Sequence, residues 1–254
     1  MKLIPNDTDL RGMDCHVHSV FSPDSSQTPD EIVAAVRRRG LRGFIITDHV
    51  DIGHWQGCKP IDFAEYFRVW NKVRDDNPDL TVFVGLEVGF EKHTARESKA
   101  LVEALPFEYI VNSVHYWIND GKHSHYELGK ERAYSEYIEA VSASLDAPYE
   151  FSTVGHFGFI ERYAPYDGDE RIMDFATFEP LMNEIIGKAM SRGVRFEENT
   201  NGGGELRLPR ADFLSAYKAA GGVRPVVSSD AHIASAIGQY FKEAELFLTR
   251  IFGK

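Results

Sequence analysis

Seven times along this chain a short apolar run is followed by a stretch with helical spacing, and the runs end in histidines or acids. Alternation of this kind predicts parallel strands joined by right-handed helical crossovers. The strands are expected at Gly12 to His18, Leu41 to Thr47, Leu80 to Leu86, Tyr109 to Val114, Phe151 to Gly155, Val194 to Asn199 and Pro225 to Ser229. A helix should open at Thr28-Pro29, carry Ile32, Val33 and Val36 inward, and close at Gly40. Asp62 is placed to cap the next, with Phe63, Tyr66, Phe67, Trp70 and Val73 as its apolar face. Further helices are expected near Glu97 to Ala104, Lys130 to Leu145, Phe175 to Arg192, Ala211 to Ala220 and Ser235 to Phe252. An open doubly wound sheet would spread its strand ends along an edge. A barrel gathers them on one rim, and only a barrel lets residues 16 and 232 meet easily. A closed or nearly closed barrel of seven strand–helix units is therefore expected, as one domain over 1–254.

His16-Val17-His18 points to the chemistry of that rim. On an extended segment side chains alternate, so the two imidazoles share a face and make half a metal site. Downstream ends add Asp24, His49, Glu87, His115, His156, Asp230 and His232. Any one of these, taken alone, is better explained as a hydrogen-bonded core or loop residue. As an ordered series after apolar strands, they read as a metal cluster. A catalytic zinc takes about three protein ligands, so nine ligands with a shared carboxylate suit about three divalent ions. Imidazole and carboxylate without nearby cysteine suit zinc, iron or manganese. Cys15 should alternate away from His16 and His18 and serve as a small core residue.

Composition narrows the partners. A net charge of −11 counts against nucleic-acid and anionic-membrane surfaces. If the substrate is an anion, metal ions or local arginines must supply the attraction. Two cysteines imply no disulfide framework. The first residues lack a long apolar run, and no stretch approaches a membrane span, so a cytoplasmic protein is expected. The sequence is silent on oligomeric state.

The run HVHSVFSPD, followed by TDH, GLE, SVH, GH and SDAH, resembles the PHP superfamily of polymerase-associated and histidinol-phosphatase domains. The ordered series covers about residues 12 to 235. Length, the segment GHFGFIERY and the segment ENTNGGGELR look like the stand-alone histidinol-phosphate phosphatases of that superfamily. The resemblance implies a distorted seven-unit barrel of the PHP type, with three metals at its C-terminal rim. His16, His18, Glu87 and Asp230 would hold the first metal. Glu87 would bridge to a second, held also by His115 and His156. Asp24, His49 and His232 would hold the third.

The implied activity is hydrolysis of a phosphate monoester, with histidinol phosphate foremost. A hydroxide between two ions would attack phosphorus, so His16, His18, Glu87 and Asp230 count as catalytic. Arg162 and Arg207 are the candidates for the remaining phosphoryl oxygens, because a guanidinium pairs with phosphate in two places. Glu91, Tyr116, Trp117 and Glu161 could meet a cationic leaving group, although each suits a surface or packing role better. His54, His93, His123 and His125 fall in loops, and the glycines at 202–204 suggest a hinge. Alternatives remain. One is action on another small phosphate ester or a nucleotide. An amidohydrolase-type hydrolase also carries H-x-H after its first strand, but usually needs eight units and fewer ligands, often with a mid-barrel lysine, and the TDH and closing D-x-H here exceed that requirement. A metal-binding module without catalysis, or a nuclease, is the remaining class.

Overall fold

A computed structural model of the chain describes residues 3–53, 60–115, 126–127, 129–203 and 207–253. His54, Trp55, Cys58, Tyr116, Trp117, His123, His125 and Gly204 lie outside the described residues.

The strands are β1 (Met13–Val17), β2 (Gly43–Ile46), β3 (His49–Val50), β4 (Thr81–Gly89), β5 (Tyr109–Ser113), β6 (Thr153–Val154), β7 (Arg195–Asn199) and β8 (Val226–Ser228). All pair in parallel, in the order β1-β2-β4-β5-β6-β7-β8. β3 prolongs β2, since Gly43 lies opposite Thr81 and His49 opposite Glu87 on the same neighbour β4. The two are separated at Thr47-Asp48, where Asp48 turns to accept from the Ser19 amide at 2.6 Å and the Ser22 hydroxyl at 2.7 Å. The His18 amide donates to Ala231 O at 3.0 Å and Val17 bridges Ala231, which brings β1 beside β8. The result is the expected seven-stave barrel, nearly closed.

Helices α1 (Pro29–Arg38), α2 (Phe63–Asp76), α3 (Ala95–Ala104), α4 (Lys130–Ser144), α5 (Ile160–Tyr163), α6 (Glu179–Arg192), α7 (Ala211–Ala219) and α8 (Phe241–Phe252) cross between strands. α1 begins at a capping box, Thr28 with Glu31, which satisfies two otherwise orphaned amides. Asp62 caps α2 as expected. α2 presses Trp70 and Tyr66 onto the barrel, both fully buried. Each such aromatic contributes roughly 2–3 kcal/mol by burial. Two helices start later than their periodicity suggests. Pro180 sits in the first turn of α6, the only place its missing amide is tolerated. Ahead of α8, Gly238 and Tyr240 take φ of 65° and 54°, which a right-handed helix cannot include.

Apolar side chains form two layers. The larger packs the helices onto the strands' outer faces. A smaller cluster of Met13, Cys15, Ile45, Tyr109, Val111 and Val226 joins strands from opposite sides of the ring and so fills its interior. Cys15 corrects a sequence expectation. Between Asp14 and Val17 the pairing with β2 shifts register, so simple alternation fails there. Cys15 remains a buried core residue, but inside the barrel beneath His16 and not on the opposite face. No helix among the described residues is long and apolar enough to cross a membrane.

Candidate metal centre

The side chains named from the strand ends converge on one rim. His16 Nε2 lies 3.2 Å from Glu87 Oε2 and 3.8 Å from Asp230 Oδ1. His18 Nε2 lies 3.5 Å and 3.3 Å from the same two oxygens. The other oxygen, Glu87 Oε1, faces His115 Nε2 at 3.0 Å and His156 Nε2 at 2.9 Å. A third group brings Asp24 Oδ2 to 3.6 Å from His49 Nε2 and 3.3 Å from His232 Nε2. Glu87, wholly buried, thus offers one oxygen to each of the first two groups.

Proton positions follow from the partners behind the rings. His16 Nδ1–H donates to Glu197 Oε2 at 3.0 Å. His115 Nδ1–H donates to Asp51 Oδ1 at 2.7 Å. His232 Nδ1–H donates to the Asp230 carbonyl at 3.0 Å. The Ser22 hydroxyl is spent on Asp48, so it can only accept, at 3.0 Å, from His18 Nδ1–H. Each of these tautomers leaves an Nε2 lone pair turned toward the cavity, which is what a cation needs. Glu197 also accepts from the His156 amide at 2.6 Å and Ser228 Oγ at 2.7 Å, tying three strands beneath the site.

The buried atoms His16 Nε2, His18 Nε2 and Glu87 Oε2 have no hydrogen-bond partner. Leaving such atoms unpaired is costly, and a divalent cation among them would satisfy all three. Four groups of three ligand-type side chains have their ligand atoms within 4.8 Å of one another, so the rim is equipped to hold several divalent ions. Without cations, protons take their place. Burial opposes charge on His16, yet Glu87, Glu197 and Asp230 raise its pKa well above the usual value. Against the same burial, Asp51 and Glu87 lift His115 to about 10. Burial, reinforced by His232 and His49, pushes His18 well below its ordinary value. Glu87 is buried too, but His16, His115 and His49 hold it well below the carboxylate range.

A cavity of about 560 Å³ opens above these groups, with Phe159, Tyr163, Asn201, Ile233 and Gln239 at its sides. That is the size of a small-metabolite site. Of the two arginines, Arg162 on α5 lies against Asn199 and the floor residue Asp230, although it is not itself among the residues that line the cavity. Its Nη2 donates to Asn199 Oδ1 at 2.7 Å and its Nη1 lies 4.0 Å from Asp230 Oδ2. Arg207 is placed elsewhere. Its guanidinium stacks on Phe247 at 4.8 Å and its Nε lies 3.8 Å from Glu198, on the outer side of β7. Burial raises Glu198 to about 8, and a carboxylate so placed draws the nearest cation. Glu161 is buried against Arg210 and the Met173 amide, and Glu91 pairs with His93 at 2.9 Å, so neither is among the cavity's lining residues.

Sequence reasoning passed over Asp51 and Glu197. Both follow the period-two rule already applied to His16 and His18. Asp51 stands two residues from His49, and Glu197 shares the inward face of β7 with Asn199.

Comparison with known proteins agrees with this architecture. The PHP domain matches residues 14–201, well over half the chain, and stops short of Asp230 and His232. A histidinol-phosphatase of Lactococcus lactis is 27% identical over 89% of this chain and 86% of the relative. A probable histidinol-phosphatase of Clostridium acetobutylicum is 26% identical over 91% of this chain and 90% of the relative. A solved histidinol phosphate phosphatase from Lactococcus lactis, in complex with zinc, L-histidinol and phosphate, superposes with a TM-score of 0.86 at 25% identity, covering 94% of this chain and 93% of that one. Metal-dependent tyrosine phosphatases of Bacillus subtilis and Streptococcus pneumoniae share the fold, at TM-score 0.55 and 17% identity, covering 95% of this chain and 88% of theirs. The sheet path has seven staves, where an amidohydrolase-type barrel usually needs eight. Seven parallel staves, a rim of facing imidazoles and carboxylates, and the domain match together establish that the chain belongs to the PHP domain family.

Proposed function

We propose that this chain is a metal-dependent phosphomonoesterase that hydrolyses L-histidinol phosphate to L-histidinol and phosphate, a cytoplasmic step of histidine biosynthesis. The observation that carries the proposal is the set of buried, mutually facing and unpaired ligand atoms on His16, His18 and Glu87, at the floor of a metabolite-sized cavity. The names and the bound zinc, histidinol and phosphate of the relatives support the substrate. The acidic net charge of −11 supports a small molecule over a nucleic acid.

In this proposal His16, His18, Asp230 and Glu87 hold one metal; Glu87, His115 and His156 hold a second; Asp24, His49 and His232 hold a third. Ions bound there would screen the phosphoryl charge and lower the pKa of water. The chain's own residues supply the rest. Glu197, Asp51 and Ser22 fix the rings from behind, and Asn199 and Asn201 approach Asp230 Oδ2 at 3.4 Å each. Arg162, held by Asn199, is the residue assigned to the phosphoryl oxygens. Tyr163 and Gln239 stand where the leaving group would exit.

The direct test is phosphate release from a panel of metabolite monoesters by metal-reconstituted protein. Histidinol phosphate should exceed p-nitrophenyl phosphate in kcat/KM by about a hundredfold or more, since remote binding energy is spent on the reacting centre. A nucleotide or sugar phosphate at the top of the panel would reassign the substrate. No release from any ester by fully loaded protein would end the phosphatase proposal. Arg162→Ala should lower kcat/KM by about 10²–10³-fold, as loss of one preorganised charged donor does. Arg207→Ala should change turnover less than about threefold, with its cost appearing as a lower melting temperature through the unscreened Glu198.

A further inference from the structure

Asp51 lies just past β3, and its carboxylate is wholly buried. Oδ1 accepts from His115 Nδ1–H at 2.7 Å, and Oδ2 lies 3.3 Å from His49 Nδ1, a nitrogen that also lies 3.0 Å from Glu87 Oε2. The cavity-facing nitrogens of these two rings serve different groups. His115 Nε2 meets Glu87 and His156, whereas His49 Nε2 meets Asp24 and His232. Glu87 therefore links the first and second groups from the cavity side and also touches His49 Nδ1, and Asp51 stands behind one ring of the second group and one of the third.

The barrel keeps room for this carboxylate. A Cβ on Gly89, at the end of β4, would stand 1.7 Å from Asp51 Oδ1 and 3.2 Å from His115 Nδ1. His49, Asp51 and His115 also satisfy the distance condition for a separate cation site. The ring chemistry argues otherwise. An imidazole that offers the Nε2 lone pair carries its proton on Nδ1, and an N–H has no lone pair for a cation.

We propose that Asp51 is a shared positioning residue that fixes the Nδ1–H tautomers of His115 and His49 together, so the second and third metal subsites gain or lose affinity as a pair. The inference rests on the three-subsite assignment proposed above. The His16, His18 and Asp230 subsite has its own supports, Glu197 and Ser22, and stands apart. An amide in place of the carboxylate has one acceptor and one donor. It can receive one Nδ1–H, but it turns its own N–H toward the other ring, where two donors face each other and the Nδ1–H tautomer is disfavoured.

The experiment titrates metal-stripped protein with zinc against a chromogenic chelator, which counts zinc equivalents without reference to turnover. The starting chain should bind three. Asp51→Asn should keep one at unchanged affinity and weaken two by about 10–100-fold each, the usual range for a lost outer partner. Gly89→Ala, which keeps the carboxylate but displaces it, should weaken the same two. Melting of the metal-free variants shows whether they fold; if Asp51→Asn does not, Gly89→Ala decides. Three equivalents at original affinity, loss of only one, or equal weakening of all three would each overturn the shared role. Failure of the unmutated chain to bind three would overturn the subsite assignment first, and this inference with it.

Discussion

Glu87→Gln is expected to reduce turnover by at least about a thousandfold, and to do so by emptying the site. The carboxylate is ringed by imidazoles: Oε1 faces His115 and His156, and Oε2 faces His16, His18 and His49. Ser113 Oγ donates to Oε1 at 2.6 Å, which orients the group. Glutamine keeps the shape but turns two N–H donors toward nitrogens whose lone pairs belong to a cation. Breaking one member of a buried charged network costs about 3–5 kcal/mol, or roughly 10²–10⁴ in an equilibrium constant. Two subsites share the loss, so zinc analysis should fall by two equivalents. Activity within about tenfold of the original, with three zinc ions retained, would show that Glu87 bridges nothing.

Metal removal should carry the second large effect, with a sign that depends on pH. In the metal-free chain His16 and His49 have raised pKa values and His115 is lifted to about 10. A raised histidine stabilises the fold fully below the unfolded value of 6.5, and that stabilisation fades as pH rises toward the folded value. Glu87 and Asp230, held below the ordinary carboxylate range, stabilise it above about 4 and lose that as pH falls. The stripped protein should therefore be most stable between about pH 4.5 and 6.5. Metal binding runs the other way, because each cation must displace protons from His16, His49, His115 and His232. Each displaced proton adds about a factor of ten in affinity per pH unit. The loaded and stripped proteins should melt close together near pH 5 and differ by about 10 °C or more near pH 8, at metal levels a thousandfold above the dissociation constant. Melting curves with and without chelator at both pH values check this. A gap that narrows with rising pH would contradict the ligand assignment.

The barrel was legible because its evidence is local. An apolar run followed by a helical stripe appears in the sequence wherever one exists, and seven in succession leave few alternatives. The ends of the strands were legible for the same reason. Where local rules conflict with packing, the sequence was less informative. The spacing that starts a helix at 175 or 235 is real, but Pro180, Gly238 and Tyr240 delay the turns until 179 and 241. At Cys15 a register shift overrides alternation. Arg207 sits three residues beyond a glycine-rich segment, and nothing in that spacing says which face of β7 it joins.

What the amino-acid order settled by itself was the succession of seven staves and the histidines and acids at their ends, because periodicity along an extended segment already aims those side chains. Tertiary structure alone decided which of them face one another and what stands behind them. Glu87 becomes a link because β4 lies between the strands of His49 and His115; Asp51 spans two rings because Gly89 leaves it space; Arg162 meets Asp230 across residues distant in sequence. Contacts between groups tens of residues apart depend on strand order and close approach, and no local pattern encodes those distances.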